Sequence, residues 1–480
     1  MFIRLRRALT QACALALLGV TAGSAQAQRP VPSTDEQAFR TLYKELVEIN
    51  TTLSVGSCTA AAEAMAARLE EAGIPSDAMR IVAPPEYPKS GALIATYAGK
   101  DRKLAPILLL AHLDVVEAKR EDWVRDPFAL VEEGGYFYAR GSSDDKAMAA
   151  VFTDTLIRFQ REGFKPSRDV KLALTCGEET SETFNSVEWL LQTNPDLLKA
   201  AFALNEGAGG LLDASGKPVT LGIQAGEKVY QDFKLETTSA GGHSSLPVRM
   251  NAINQLAAGL TRLAAYKFPI HLNQTTRAYF ERQAELTDSP QVAADMRAVL
   301  KDPVDGEATE RLWTVNPGWN GMLRTTCVAT QIEGGHAPNA LPQHARANVN
   351  CRVHPDDSTD FVRQQIVKVL ADDGISVELS AEVGFLSPVP PLTPQILDPI
   401  RKVSARLWPG VPLVPTMSTG ATDGRFLNRA GIPTYGLSGM FSDAEGSHAH
   451  GLNERIRVQT LLDGRRFLYE VVKIYAQQTD

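Results

Sequence analysis

Short apolar runs alternate with helix-patterned segments through the first half of the chain, and this alternation limits the fold more than any other feature. The strand-like runs cover residues 93–97, 107–111, 170–175 and 201–204, and helical spacing covers residues 36–48, 60–72, 144–159 and 187–192. The run at 107–111 is almost continuously apolar, which is typical of a strand buried on both faces. Strands of this kind separated by helices predict an α/β fold built on a mostly parallel sheet.

The middle of the chain has a different pattern, which predicts a second domain. Residues 230–237 alternate between apolar and polar side chains, and mixed strand and helix patterns follow them. We expect an α+β sandwich over residues 226–385. Residues 270–320 are polar and weakly patterned, so they are interpreted as an insertion in this domain.

Proline residues mark the return from the second domain to the first. Residues 388–394 have the sequence Pro-Val-Pro-Pro-Leu-Thr-Pro, which predicts a hinge, and the helix–strand alternation resumes after them. Residues 28–225 and 386–480 would then form one discontinuous domain. A chain of 480 residues is long enough for about two or three domains, so two large ones fit its length.

The first 27 residues have the pattern of a secretory signal peptide. Arginines at positions 4, 6 and 7 precede an apolar run at 12–20, and Ala25-Gln26-Ala27 supplies small residues for cleavage. We therefore expect a secreted or periplasmic protein. No later stretch approaches 18 consecutive apolar residues, so no association with a membrane is expected after cleavage.

The charge balance argues against a nucleic-acid partner. The chain has 49 Lys and Arg residues against 56 Asp and Glu residues, which gives a formal net charge of -7. Proteins that bind nucleic acids carry a basic surface, and an acidic chain of this kind does not predict one.

Four cysteines remain once Cys13 leaves with the signal peptide, namely Cys58, Cys176, Cys327 and Cys351. In an oxidising compartment they can form disulfides in three different pairings, and the sequence leaves all three open. No two of them form a Cys-x-x-Cys pair, so a zinc site made of thiolates is not expected.

Acidic and imidazole side chains follow three of the predicted strands. They are His112 and Asp114 after residues 107–111, Glu178 and Glu179 after residues 170–175, and Glu206 after residues 201–204. Because ligands bind beyond the carboxyl ends of parallel strands, we expect these side chains to share one edge of the sheet. Neighbouring side chains on an extended chain point in opposite directions, so Glu178 and Glu179 are expected to do different work, one as a metal ligand and one as a general base.

Two further segments carry ligand-type side chains. Asp144 and Asp145 follow a Gly-Ser-Ser turn at the start of a predicted helix, where one aspartate is expected as a cap and two favour a bound cation. Near the C-terminus, His448 and His450 offer a second imidazole. Imidazole and carboxylate ligands without paired thiols favour zinc, and five of them suffice for two zinc ions that share one carboxylate.

Taken in order, these motifs resemble those of the di-zinc aminoacylase/carboxypeptidase metallopeptidases. The motifs are His112-x-Asp114, Gly141-Ser-Ser-Asp144-Asp-Lys, Glu178-Glu179, Glu206 and His450-Gly-Leu-Asn-Glu454. The family includes the aminoacylases, acetylornithine deacetylase, succinyl-diaminopimelate desuccinylase, glutamate carboxypeptidase and carnosinase-like dipeptidases. The match runs from about residue 40 to the C-terminus and is closest to the vacuolar carboxypeptidase and N-acyl-amino-acid hydrolase branch. It implies a di-zinc catalytic α/β domain with an inserted α+β sandwich that serves as lid and dimerisation domain.

The resemblance also implies a set of metal ligands. They are His112 and Glu206 for one zinc ion, Glu179 and His450 for the other, and Asp144 as the bridge between them. Glu178 corresponds to the general base, and Asp114 to the residue that orients His112. Asp144 is preferred over Asp145 because the family's bridging carboxylate directly follows the Gly-small-x segment. His450 is preferred over His448, the second choice, because it stands four residues before Glu454.

The predicted lid resembles that of the family at three positions, and a loop of the catalytic domain resembles the one that faces them. His243, in Gly-Gly-His-Ser-Ser, corresponds to the histidine that stabilises the oxyanion, often in the site of the partner subunit. Asn339 and Arg352 correspond to positions that hold the substrate carboxylate, and Gly420 lies in a segment similar to the glycine-rich loop facing them. For His243 and Arg352 the alternative is a hydrogen-bonding role at the surface.

Four details depart from the family or stay open. Gly177 stands where the family commonly has an aspartate before the glutamate pair, and we expect it to adjust the strand end rather than abolish activity. Cys176 lies beside the expected base, which predicts a site that is sensitive to thiol reagents. The role of His336 is undecided, and Arg425 is interpreted either as an anion ligand or as a structural partner of Asp423.

The resemblance implies zinc-dependent hydrolysis of an amide bond next to a free carboxylate, in short peptides or N-acyl amino acids. Two Zn²⁺ per subunit are expected, which Co²⁺ or Mn²⁺ can replace, together with a homodimer through the lid. The main alternative is a secreted two-lobed protein that binds a peptide or metal without turnover. A cysteine hydrolase using Cys176 leaves the carboxylates unexplained, and a glycosidase leaves His112 and His450 unexplained.

Overall fold

The computed structural model describes residues 33–180, 183–380 and 387–479. The predicted signal peptide and the predicted domain boundary at residue 385 lie outside these ranges. Among the described residues, no helix combines the length and the apolar character needed to cross a membrane.

The helices begin at polar caps in most cases. They are α1 Thr34–Glu48, α2 Cys58–Glu71, α3 Lys146–Glu162, α4 Ser186–Thr193, α5 Pro195–Leu198, α6 Ala252–Ala265, α7 Gln274–Leu286, α8 Pro290–Val299, α9 Gly306–Val315, α10 Pro317–Leu323, α11 Thr359–Leu370, α12 Pro394–Leu407, α13 Gly424–Arg429 and α14 Val458–Gln477. Ser57, for example, accepts a hydrogen bond from the N–H of Ala60 and so satisfies one of the free donors at the start of α2.

The strands fall into two principal sheets and two small ones. They are β1 Met79–Val82, β2 Ala92–Tyr97, β3 Ile107–His112, β4 Val131–Glu133, β5 Tyr136–Tyr138, β6 Val170–Thr175, β7 Phe202–Asn205, β8 Gly210–Leu212, β9 Pro218–Glu227, β10 Val229–Thr238, β11 Gly242–His243, β12 Thr326–Gly334, β13 Ala340–Leu341, β14 His344–Val353, β15 Ile375–Leu379, β16 Leu413–Ser418, β17 Thr434–Gly436, β18 Phe441–Ser442 and β19 Arg455–Arg457.

The large sheet has the strand order β1-β2-β6-β3-β7-β17-β9-β8-β18, with β16 paired to β9. Its centre is parallel, because β3 runs parallel to both β6 and β7, and β17 runs parallel to β7. Antiparallel pairs such as β1–β2 and β8–β9 lie toward the two sides. The predicted α/β fold class with a mostly parallel central sheet is confirmed.

Helices cover the large sheet on both faces. Leu109 of β3 packs in a core with α1, α2, α3 and α14, whereas its neighbours Leu108 and Leu110 pack in a second core with α4, α5 and α13. Every residue of β3 is buried. This double burial explains why the sequence of this strand is apolar at consecutive positions.

A separate four-stranded antiparallel sheet follows the large sheet, in the order β12-β14-β10-β15. Helices α6 and α11 cover one face of it and share a core with Phe233, Val349 and Ile366. Along β10, buried residues alternate with more exposed ones, as a sheet covered on one face requires. We call this unit the lid. The chain passes from the large sheet to the lid at Lys228, between β9 and β10.

The insertion predicted at residues 270–320 consists of helices α7 to α10 with a small core of their own. Phe280, Met296 and Leu312 form its centre, and each is fully buried. Helix α7 packs against β16 of the large sheet. The insertion therefore contacts the unit that carries the strand-end side chains, although its two ends join the lid.

Candidate metal centre

His112 is the last residue of β3 and is almost completely buried. Its Nδ1 lies 2.9 Å from the backbone oxygen of Asp114. Because a carbonyl oxygen only accepts hydrogen bonds, Nδ1 carries the proton and Nε2 is left free as a ligand. The group that orients His112 is thus the backbone of Asp114, whose carboxylate is farther away, at 3.7 Å.

The side chain of Asp144 lies between the two predicted imidazoles. Its Oδ1 is 3.2 Å from Nε2 of His112, and its Oδ2 is 3.2 Å from Nε2 of His450. Glu206 approaches the first imidazole to 3.8 Å, and Glu179 approaches the second to 2.9 Å. The five side chains named as metal ligands therefore form two groups of three donors that share Asp144.

The donor set fits divalent metal ions. Within each group the donor atoms lie within 4.8 Å of one another, and all of them are imidazole nitrogens or carboxylate oxygens. Zinc binds such donors at about 2.0–2.2 Å in tetrahedral sites. The donors of one zinc ion therefore also lie within a few ångströms of one another. Neither Asp145 nor His448, the two alternatives from the sequence, belongs to either group.

Carboxylates crowd around these two groups. Desolvation raises the pKa of Glu178 well above its usual value, and the charge of Glu206 adds to the shift. Desolvation raises the pKa of Glu206 in the same way and raises that of Asp423 to about 6. Bound cations would offset the mutual repulsion of these groups, in agreement with a metal site.

The carboxylate of Asp114 holds the turn that carries Glu178 and Glu179. Its Oδ2 accepts a hydrogen bond from the N–H of Glu179 at 3.0 Å, and its Oδ1 accepts one from the N–H of Glu178 at 3.4 Å. Gly177 precedes the pair with a φ of +94°, and a Cβ there would lie 2.0 Å from the backbone oxygen of Phe184. This turn therefore requires glycine, which accounts for the departure from the family pattern.

Glu454 positions the loop that carries Asp144. Its carboxylate is fully buried and accepts hydrogen bonds from the N–H groups of Gly141, Ser143 and Asp144 at 2.8–3.0 Å. Arg140 donates to the same carboxylate at 2.7 Å. No sequence pattern indicated a role for Arg140, because only the fold brings it to a partner 314 residues away.

The predicted lid residues lie outside the two donor groups and at two places: His243 and Asn339 are together near one end of the lid sheet, and Arg352 is near its other end. His243 of β11 is exposed and pairs with Ala340 of β13, so the adjacent Asn339 lies beside it. The backbone N–H of Ser244 also donates to the oxygen of Asn339 at 3.1 Å. Arg352 of β14 is half-buried, with its guanidinium over the ring of Tyr230 at 4.8 Å.

The loop around Gly420 is fixed by a buried carboxylate that the sequence did not indicate. Glu227 accepts hydrogen bonds from both the N–H and the hydroxyl of Thr422 at 2.8 Å. Asp423 accepts hydrogen bonds from Asn185 and Thr175 rather than from Arg425. His336 is exposed on the lid.

The four cysteines in the described part of the chain form two disulfides, Cys58–Cys176 and Cys327–Cys351. The sequence had left three pairings open. Since Cys176 is bonded to Cys58, it has no free thiol, and the predicted sensitivity to thiol reagents at this position is wrong.

Known proteins are similar to this chain in sequence and in fold. The model of peptidase family M20/M25/M40 matches residues 108–474. The N-fatty-acyl-amino acid synthase/hydrolase of Homo sapiens is 30% identical over 388 residues, which cover 79% of this chain and 76% of that protein. The probable carboxypeptidase S-like 2 of Dictyostelium discoideum is 28% identical over 392 residues, covering 80% and 74%. An M20 family metallo-carboxypeptidase from Sulfolobus solfataricus shares the fold, with a TM-score of 0.66 and 18% identity over 93% of this chain and 100% of that chain.

Proposed function

The chain belongs to peptidase family M20/M25/M40, as its motifs predicted, and is thus a metal-dependent hydrolase of peptide or amide bonds; we propose that it uses two zinc ions to cleave an amide bond next to a free carboxylate. The substrates are short peptides or N-acyl amino acids. The relatives support both classes, since one is named as an N-fatty-acyl-amino acid hydrolase and another as a probable carboxypeptidase.

The observation that carries this proposal is the pair of donor groups that share Asp144. His112 and Glu206 would hold one zinc ion with it, and Glu179 and His450 would hold the other. Two zinc ions bound there would polarise the substrate carbonyl and lower the pKa of water in the site. Co²⁺ or Mn²⁺ accept the same ligands and are expected to substitute.

Glu178 supplies the proton transfers. It belongs to the same turn as Glu179 but not to either donor group, so its carboxylate is available to take a proton from the attacking water. The same carboxylate then returns a proton to the leaving amine. Asp114 keeps this turn in place through its two backbone hydrogen bonds.

The lid supplies the remaining contacts to the substrate. His243 would donate a hydrogen bond to the oxygen that becomes negative as the carbonyl is attacked. Arg352 and the backbone N–H groups of the Gly420 loop would bind the free carboxylate. Asn339 lies beside His243 near the other end of the lid sheet, so it would reach the carboxylate in the same site that His243 enters. A guanidinium and oriented N–H donors suit a planar carboxylate. Binding of this carboxylate would then determine which amide bond of the substrate is cleaved.

A panel of N-acyl amino acids and dipeptides tests the activity, each compared with the same compound carrying a C-terminal amide. We expect hydrolysis of the free carboxylates only, with loss of activity on chelation and recovery with Zn²⁺. Metal analysis of the same samples counts the ions per chain. Binding of zinc and peptide without hydrolysis of any compound would favour the alternative of a two-lobed binding protein.

The lid also has a surface suited to a second copy of the chain, and we infer a homodimer through it. Large apolar side chains there are 40–74% exposed, and they are Leu246, Val248, Met250, Ile253, Val328 and Ile332. Two of them lie on β12, an edge strand of the lid sheet in the described part of the chain. An exposed apolar edge strand of this kind is typical of an interface.

Replacing His243 by alanine should lower kcat by about 100-fold and leave the metal content unchanged, because one donor to the oxyanion is lost. Steady-state kinetics and metal analysis check this, and an unchanged kcat would remove His243 from that role. If His243 acts in the partner's site, mixing His243→Ala with Glu178→Ala chains should restore about a quarter of the wild-type rate. No recovery in mixed dimers that are purified through a different affinity tag on each variant would place His243 in its own subunit's site.

We further propose that residues 1–27 direct export to the periplasm or outside the cell. The two disulfides support this, because such bonds persist in oxidising compartments.

A further inference from the structure

The disulfide Cys58–Cys176 joins two elements next to the candidate metal centre. Cys58 is the first residue of α2, and Cys176 directly follows the last residue of β6 and stands two residues before Glu178. The bond closes a loop between residues 118 positions apart, and both cysteines are buried. Helix α2 packs on α1, α3 and β2, so the bond ties the start of the glutamate turn to a well-anchored helix.

The disulfide also lies beside the carboxylate that holds the glutamate pair. An oxygen of Asp114 and the sulfurs of Cys58 and Cys176 all lie within 4.8 Å of one another. The turn is thus restrained at its start by the disulfide and at Glu178 and Glu179 by the hydrogen bonds to Asp114. Ser186 adds two hydrogen bonds to the backbone of Cys176, one through its hydroxyl and one through its N–H.

Such restraint matters because Asp114 holds the turn only through hydrogen bonds from two backbone N–H groups, and the one from Glu178 is long, at 3.4 Å. A covalent bond fixes the start of the turn independently of these hydrogen bonds.

We propose that the Cys58–Cys176 disulfide is a positioning element for Glu178, so that hydrolysis requires it to be intact. This inference rests on the proposed role of Glu178 as general base. A displacement of about 1 Å in a catalytic group is enough to cost about 100-fold in rate, and the loss of one anchor permits a shift of that size.

Both cysteines line a small cavity of about 40 Å³, together with Thr51 and Thr52 among others. A cavity of this size holds about one water molecule, so a dithiol reaches the bond when the surrounding chain opens locally. A thiolate of a dithiol would attack one sulfur and break the S–S bond, which forms a mixed disulfide. The second thiolate of the dithiol would then displace the remaining cysteine. The protein gains two thiols, and the dithiol becomes a cyclic disulfide, so two electrons and two protons are transferred.

The test uses two double variants of the metal-loaded protein. Cys327→Ser/Cys351→Ser removes the lid disulfide, which joins β12 to β14, and leaves only Cys58–Cys176 to be reduced. In this background, dithiothreitol should lower kcat by about 10- to 100-fold with unchanged KM, and reoxidation should restore it. Zinc content is measured at each stage, because dithiols also bind zinc.

The second variant, Cys58→Ser/Cys176→Ser, should show the same low kcat without any reductant and be indifferent to it. A disulfide that merely stabilises the fold would lower the melting temperature but leave kcat unchanged below it. Equal kcat for oxidised and reduced protein at equal zinc content overturns the inference, even if one variant fails to fold. If the oxidised wild type hydrolyses nothing, the proposed function fails instead.

Discussion

Replacing Glu178 by glutamine should lower kcat by about 10²- to 10⁴-fold while the zinc content stays at the wild-type level. Glutamine keeps the size of the side chain and the backbone N–H that donates to Asp114. It cannot take a proton from water at neutral pH, so it removes the general base and little else. Because Glu178 is in neither donor group, its loss leaves all five metal ligands in place.

Stopped assays on the best substrate and metal analysis of the same preparation measure this effect. Glu63→Gln is a suitable control, since Glu63 is an exposed carboxylate on α2 and its neutralisation should leave kcat unchanged. Glu178→Asp tests the position of the base, and it should fall between the wild type and Glu178→Gln. A Glu178→Gln protein with near wild-type turnover would contradict the assignment.

The location of the candidate site was predictable, because its polar residues stand at the ends of strands that can be recognised in the sequence. His112 is the last residue of one parallel strand, and Glu179 and Glu206 each come after another. Parallel strands that lie side by side end at one edge of a sheet. Local sequence patterns are enough to recognise such strands. The roles of these side chains come from the family resemblance.

The contacts that hold the site together were not predictable. The orientation of His112 depends on a backbone oxygen, and every residue has one. The partner of Arg140 is Glu454, and the partner of Cys58 is Cys176. Pairs so distant in sequence have no local pattern, and only the folded chain brings them together.

The helices of the insertion at residues 270–320 were not predictable for a different reason. Helices α7 to α10 are 7–13 residues long, and each contributes only a few side chains to their common core. With so few apolar positions per helix, the sequence of residues 270–320 is polar on average and its helical period is weak. The core exists because four short helices combine their apolar faces, which no single segment reveals.

Replacing Asp144 by alanine should lower the affinity for both metal ions and reduce hydrolysis to the level of the metal-free protein. The two oxygens of Asp144 face different imidazoles, so its loss removes a donor from both groups at once. Loss of His450, by contrast, removes a donor from one group only. Titration with Zn²⁺ followed by metal analysis should therefore show two weakened sites in Asp144→Ala and one in His450→Ala.

Asp145→Asn provides the matched control for this prediction, because Asp145 is the next residue and belongs to neither donor group. It should bind zinc as the wild type does. If Asp145→Asn lost both ions and Asp144→Ala kept them, the bridge would be Asp145. If Asp144→Ala lost only one ion, Asp144 would be a ligand of a single site, and the two groups would not share it. The number of sites weakened by one substitution thus decides whether this carboxylate couples the two metal ions.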